Sequence, residues 1–202
     1  MIDGCRYWDD PDRYYSQENN ATEQIIKKIG QDSWLETCGP TASVMALEAM
    51  GYSTKIKCPG IWSPQPEDVL SGYFNDPRNY DKIQAQRKEI DPRNYMGNRV
   101  PQFYPRAILD VFTAPCRFEW GASFEKVKGL VSAGKAVVLC LKSPGHYITA
   151  VAYNKVDATI IYHDPWPSNK WPTEHRRTPG FCRTLNEGHF ENLQGFLLRF
   201  GE

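Results

Sequence analysis

The stretch Thr37-Cys38-Gly39-Pro40-Thr41-Ala42-Ser43-Val44-Met45-Ala46-Leu47-Glu48-Ala49-Met50-Gly51 decides how the chain is read. Thr41 to Met50 has helical spacing, with Ala42, Met45, Ala46 and Ala49 on one apolar stripe and Leu47 widening it. Pro40 suits the first helical position, where an N–H would have no partner anyway. Gly51 suits the C-terminal cap. The small alanines predict a helix packed closely on its neighbours, as at the centre of a domain. Cys38 then stands at the helix mouth. Backbone N–H groups and the helix dipole favour a thiolate over a thiol at such a position, and the same N–H groups can bind an oxyanion forming on a substrate carbonyl. Gly39 lets a substrate come close to the backbone. Two readings of Cys38 stand at this point, a nucleophile or a buried helix-capping cysteine, since cysteine is among the most buried residue types.

A thiol nucleophile needs a base. The four histidines are His146, His163, His175 and His189. His146 follows Pro144-Gly145 and opens the strand candidate His146 to Tyr153, so its side chain can reach a cleft at the sheet edge. His175 and His189 lie in polar, loop-like segments, and His163 is the main rival. The base needs an acceptor to orient it. Asp164, in His163-Asp164-Pro165-Trp166, ends the strand candidate Ala158 to His163. Consecutive meander strands are antiparallel neighbours, so the end of this strand lies beside the start of the strand that His146 opens. Alone, Asp164-Pro165 is an ordinary strand-ending turn; its register against His146 makes it the candidate acceptor.

Working outward, the last third is the clearest. Ser123 caps a helix through Val131, with Phe124, Val127, Leu130 and Val131 on its buried face and Gly134 ending it. Ala136 to Lys142, His146 to Tyr153 and Ala158 to His163 are strands in meander order, and Phe196 to Phe200 is a further strand that closes the sheet. Upstream of Cys38, Arg13-Tyr14-Tyr15-Ser16 reads as a short strand and Thr22 to Ile29 as a helix. Residues 52 to 120 are proline-rich and least legible. Asp76-Pro77-Arg78-Asn79-Tyr80 recurs as Asp91-Pro92-Arg93-Asn94-Tyr95, which reads as two similar turns flanking a polar helix. Tyr104 to Phe112 reads as a helix. The fold class is α+β, a helical first half followed by an antiparallel sheet.

The 202 residues suit one domain, 1–202, with an insertion at about 52–120. With 41% hydrophobic and 24% charged residues the chain reads as globular. Lys plus Arg and Asp plus Glu are 24 each, so nothing resembles the footprint of a nucleic-acid binder. No apolar run reaches the roughly 20 residues of a membrane helix. Met1 to Asp10 has no apolar core after a basic start, so no secretory signal is read there. The expectation is a protein made in a cytoplasm and released to a cell wall, if at all, by other means. Six cysteines without a CxxC pair argue for free thiols and against a structural zinc site. No metal or cofactor is expected.

Tyr14-Tyr15-Ser16-Gln17-Glu18-Asn19, Cys38-Gly39-Pro40-Thr41-Ala42, Ser123-Phe124-Glu125 with Gly134-Lys135-Ala136-Val137-Val138, Gly145-His146-Tyr147 and Asp164-Pro165-Trp166 form an ordered set. That set resembles the peptidase C39-like branch of the papain-like cysteine proteases. The resemblance implies a papain-like fold and a triad of Cys38, His146 and Asp164. It also implies an upstream glutamine that helps bind the oxyanion. Gln31 has the better spacing to Cys38, and Gln17 in the Tyr-Ser-Gln piece is the alternative. Without a membrane segment or a GxxxxGK[ST] loop, the chain resembles stand-alone and phage lysin-type members better than transporter-fused export proteases. The expected activity is amide or peptide hydrolysis, with peptidoglycan stem peptides as the leading substrate. Acyl transfer or deamidation on the same triad, and a non-enzymatic binding or structural protein that kept the fold, are the alternatives.

Overall fold

The computed structural model describes residues 1–17, 37–55, 65–86, 88, 99–143, 145–166 and 180–202. Its helices are α1 (Cys38–Met50), α2 (Pro66–Asn75), α3 (Tyr80–Gln84), α4 (Tyr104–Phe112) and α5 (Phe124–Ser132). Its strands are β1 (Ile2–Gly4), β2 (Cys116–Trp120), β3 (Val137–Leu141), β4 (Tyr147–Asn154), β5 (Thr159–His163), β6 (Arg183–Leu185) and β7 (Leu193–Phe200). The seven strands form one antiparallel sheet in the order β2-β7-β3-β4-β5-β6, with β1 on β4. The eight-residue β4 outruns its neighbour β3, which pairs residues 147–150, and β1 pairs residues 152–154 of the same edge. The architecture is α+β with a papain-like arrangement: a helix carrying Cys38 lies on an antiparallel sheet.

The predicted meander is present as β3, β4 and β5. The closing strand is longer than its last residues indicated and lies inside the sheet, between β2 and β3. Among the described strands the edges are β2 and β6. Arg13 to Ser16 do not form a strand: Pro11–Arg13 is a 3-10 turn, and the Asp10 side chain accepts from the Asp12 N–H at 3.1 Å. Pro11 fixes φ and brings no donor, so the chain turns there and does not join the ladder. The expected helix over Thr22 to Ile29 lies outside the described residues. Of the two Asp-Pro-Arg-Asn-Tyr copies, the first is a 3-10 turn, Pro77–Asn79, leading into α3; the second also lies outside the described residues.

The sheet separates two apolar clusters. On one face Phe124, Val127 and Val131 of α5 meet alternate residues of β3, β4 and β7, such as Val137, Leu139 and Leu197. On the other, α1 packs with α2 and α4 over Val138, Cys140 and Val151. Ten of the thirteen α1 residues are buried, with α2 and β4 packed against the helix. Its polar residues are satisfied locally: the Thr41 and Ser43 hydroxyls donate to the Thr37 and Gly39 carbonyls at 2.8 and 2.9 Å. The helix starts three residues earlier than predicted, so Cys38 is its first residue and Pro40 sits within its first turn. At the far end Gly51, at φ 86°, donates to Glu48 O, and Tyr52 donates to Leu47 O, which closes a Schellman motif.

Candidate active site

Three elements meet at one end of the sheet. The mouth of α1 brings Cys38, the residue before β4 brings His146, and the residue after β5 brings Asp164. Ladder geometry sets the last two: Thr149 pairs with His163, so the end of β5 runs back toward the start of β4. His146 Nε2 and Asp164 Oδ1 are 2.6 Å apart. The third contact depends on how α1 sits on β4. The Thr149 hydroxyl donates to the Ala42 carbonyl at 2.7 Å, a buried bond that docks the first turns of α1 against the strand. The thiol of Cys38 is near enough to His146 that its hydrogen bonding and charge raise the imidazole pKa. With Nε2 held by Asp164, the Nδ1 side of the ring is left for the thiol. The first-turn N–H groups of Cys38 and Gly39 lie ahead of the first intrahelical bond, Thr41 N–H to Thr37 O at 2.9 Å.

Burial opposes a charged imidazole at His146. Hydrogen bonds to Asp164 and Cys38, together with their charges, outweigh it and raise the pKa from 6.5 to about 9. His146 therefore holds its second proton at neutral pH. The Trp166 ring meets the imidazole edge-on at 5.9 Å between centroids and shields it.

Asp164 is fully buried and bound on every side. Oδ1 accepts from the Trp166 N–H at 2.9 Å as well as facing His146, and Oδ2 takes an ion pair with the Arg183 guanidinium. Its own N–H donates to Gly180 O at 2.7 Å, and its carbonyl accepts from the Tyr14 hydroxyl at 2.7 Å. Gly180 is at φ 82°, and a Cβ there would overlap both the Tyr14 hydroxyl and the Asp164 carbonyl, so only glycine fits. Sequence reasoning found neither Arg183 nor Tyr14. Cys182-Arg183-Thr184 carries no local signal of burial, and Tyr14 stood out only as part of a motif piece.

The rival histidine has another task. The His163 ring stacks on Phe181 at 4.6 Å, and Nδ1 accepts the Cys182 N–H at 3.2 Å. Burial pushes its pKa down from 6.5 to about 4, against a hydrogen bond to the Trp8 backbone. His189 caps a 3-10 turn with Asn186, and His175 lies outside the described residues. Of the two glutamines, Gln17 is buried and its N–H donates to Pro165 O at 2.8 Å, against the segment that carries Asp164. Gln31 lies outside the described residues.

The two buried histidines give stability a maximum near pH 6.5. His146 titrates at about 9 folded and 6.5 unfolded, so its contribution is complete below pH 6.5 and lost as pH rises through 9. His163 titrates at about 4 folded, so its contribution is complete above pH 6.5 and lost as pH falls through 4. Each limb spans on the order of 3 kcal/mol. Urea unfolding at pH 4.5, 6.5 and 9 measures both. His163→Asn flattens the acid limb and His146→Asn the alkaline one; a level profile in the wild-type protein contradicts the account.

Among the described residues the cysteines 5, 38, 116, 140 and 182 are free thiols. No group of three or more His, Cys, Asp or Glu among them could hold a metal ion, and no helix among them is long and apolar enough to cross a membrane. No curated protein matches the chain. A family model described as the Peptidase_C39 like family matches residues 13–193, a span that takes in Tyr14, Cys38, His146, Asp164 and Arg183, and it points to a function of the cysteine-peptidase type. With residues 13–193 of 202 inside that match, the chain belongs to the Peptidase_C39 like family.

Proposed function

We propose that the protein is a cysteine hydrolase that cleaves amide bonds, with Cys38 as nucleophile, His146 as acid and base, and Asp164 as the group that orients His146. The observation that carries this reading is the position of His146, between a thiol at a helix mouth and a buried carboxylate. His146 holds the thiol's proton before substrate arrives, and Cys38 attacks the amide carbonyl carbon as the thiolate. The oxyanion that forms takes hydrogen bonds from the helix-mouth N–H groups and a glutamine amide. The C–N bond then breaks, with the His146 proton going to the departing amine. Water, deprotonated by His146, releases the acid from the thioester and restores the thiol. Asp164 keeps one ring nitrogen engaged throughout, so the other faces the sulfur. Gln31 is the proposed glutamine on its spacing to Cys38, and Gln17, whose N–H bonds to Pro165 O, is the alternative. Peptidoglycan stem peptides are the proposed substrate, and residues 52–120 the part that carries specificity.

Thiol reactivity tests the reading without a known substrate. Burial pushes Cys5, Cys140 and Cys182 up to about 12, and raises Cys116 further still. At pH 7 about one molecule in 10⁵ carries a thiolate at a thiol of pKa 12. Iodoacetamide at neutral pH is therefore expected to label Cys38 at least 100-fold faster than these four, as read by peptide mass spectrometry. Uniformly slow labelling of every cysteine favours a binding protein that kept the fold.

A further inference from the structure

We propose that Arg183 is a positioning residue of the same site, one that locks Asp164 with Oδ1 toward His146 and withholds part of the carboxylate's charge from the imidazole. The proposal rests on the Cys38–His146–Asp164 reading above. Both side chains of the Arg183–Asp164 pair are fully buried, and the guanidinium takes Oδ2 while His146 and the Trp166 N–H take Oδ1. A carboxylate with both oxygens engaged cannot rotate, so the direction it offers His146 is set from behind. In this reading Arg183 acts through Asp164.

The chain goes to some length to bring this arginine in. Arg183 opens β6 opposite Tyr162 of β5. Just before it, Gly180 accepts the Asp164 N–H, Phe181 stacks on His163, and the Cys182 N–H bonds to His163 Nδ1. Cys182 itself is at φ 50°, a left-handed conformation that few side chains adopt. Three successive residues are thus held to the end of β5, and the fourth is delivered beneath Asp164.

A guanidinium carries a permanent charge. Placed on the far side of the carboxylate, it opposes the protonation of His146 and offsets some of the pull that Asp164 exerts. Among the described residues, the other titratable groups near the pair are Cys38 from α1, Tyr14 from the N-terminal segment, and His163, which burial keeps neutral. Without Arg183 the His146 imidazole keeps its proton to higher pH. The imidazole then gives its proton less readily to the departing amine.

The test is the titration midpoint of His146, followed by nitrogen-15 NMR of the histidine rings. Arg183→Gln is expected to raise it by about one pH unit, and Arg183→Lys, which keeps the charge, to stay within a few tenths of wild type. A buried arginine with a purely structural role leaves the midpoint unchanged in a folded Arg183→Gln protein, and that result overturns the proposal. Should Arg183→Gln fail to fold, Asp164→Asn against Asp164→Asn/Arg183→Gln makes the comparison with no carboxylate left unpaired. An upward shift of about half a unit supports the proposal, and no shift overturns it. Iodoacetamide labelling of the wild-type protein keeps the two readings apart. An inert Cys38 sinks the triad, whereas an unmoved His146 midpoint beside a reactive Cys38 sinks only the role of Arg183.

Discussion

Replacing Cys38 with alanine is expected to abolish amide cleavage and leave the fold intact. The substitution removes one sulfur atom from a half-buried position at the start of α1. It leaves the Schellman cap at Gly51, the Thr149–Ala42 bond and the α2 packing untouched. Its cost in stability is therefore about 1 kcal/mol or less. The chemical loss is of another size. With no sulfur there is no acyl-enzyme, and a bound amide faces only water and the hydrogen bonds of the helix mouth. Removing a nucleophile of this kind lowers turnover by roughly 10⁴-fold or more. The measurement is amine release from peptides and peptidoglycan fragments, set beside urea unfolding of the same preparation. A folded alanine variant that still turns over would remove Cys38 from the mechanism.

Asp164→Ala is expected to damage both stability and activity, and the two losses can be separated. Truncation takes the carboxylate away from the buried Arg183 charge, and removing one partner of a buried ion pair costs about 3–5 kcal/mol. The backbone anchors at Gly180 and Tyr14 do not relieve that charge, because they hold the main chain and not the carboxylate. In Asp164→Ala/Arg183→Met the stranded charge is gone and an apolar chain of similar length fills the space, so most of the lost stability returns. Activity does not return, since His146 still has no acceptor on Nε2; turnover stays roughly 10²- to 10⁴-fold down. Urea midpoints and turnover of the single and double variants give the two numbers independently. An Asp164→Ala protein as stable as wild type would mean that the buried pair does not support the fold.

Much of the site was legible in the chain because it depends on local or nearest-neighbour geometry. A proline and a glycine bracket a run of small apolar residues, and that places Cys38 at a helix start. Two strands joined by a short turn must lie side by side and antiparallel, and that brings the end of β5 to the start of β4. The Ser123 cap works the same way: its side chain accepts from the Lys126 N–H at 3.3 Å, and the helix it opens buries Phe124, Val127 and Val131 as predicted. Leu130 of that face is only partly buried.

What the chain did not disclose depends on contacts between distant residues. β2 was hidden in a proline-rich region, and its partner β7 begins more than seventy residues later. The small alanines of α1 announced close packing, but not that its partner is α2. His163 and His146 looked like rivals; the packing of Phe181 and Cys182 made one a neutral anchor, and two polar neighbours made the other a charged imidazole.

Local sequence by itself determined the helix, the hairpin register and the identity of the three candidate groups, because capping, alternation and chain connectivity act over a few residues. Only the tertiary structure decided that Arg183 stands behind Asp164. Nothing within Cys182-Arg183-Thr184 distinguishes a surface arginine from a buried one. Its place was set when β6 paired with β5 and closed the guanidinium over a carboxylate nineteen residues earlier in the chain.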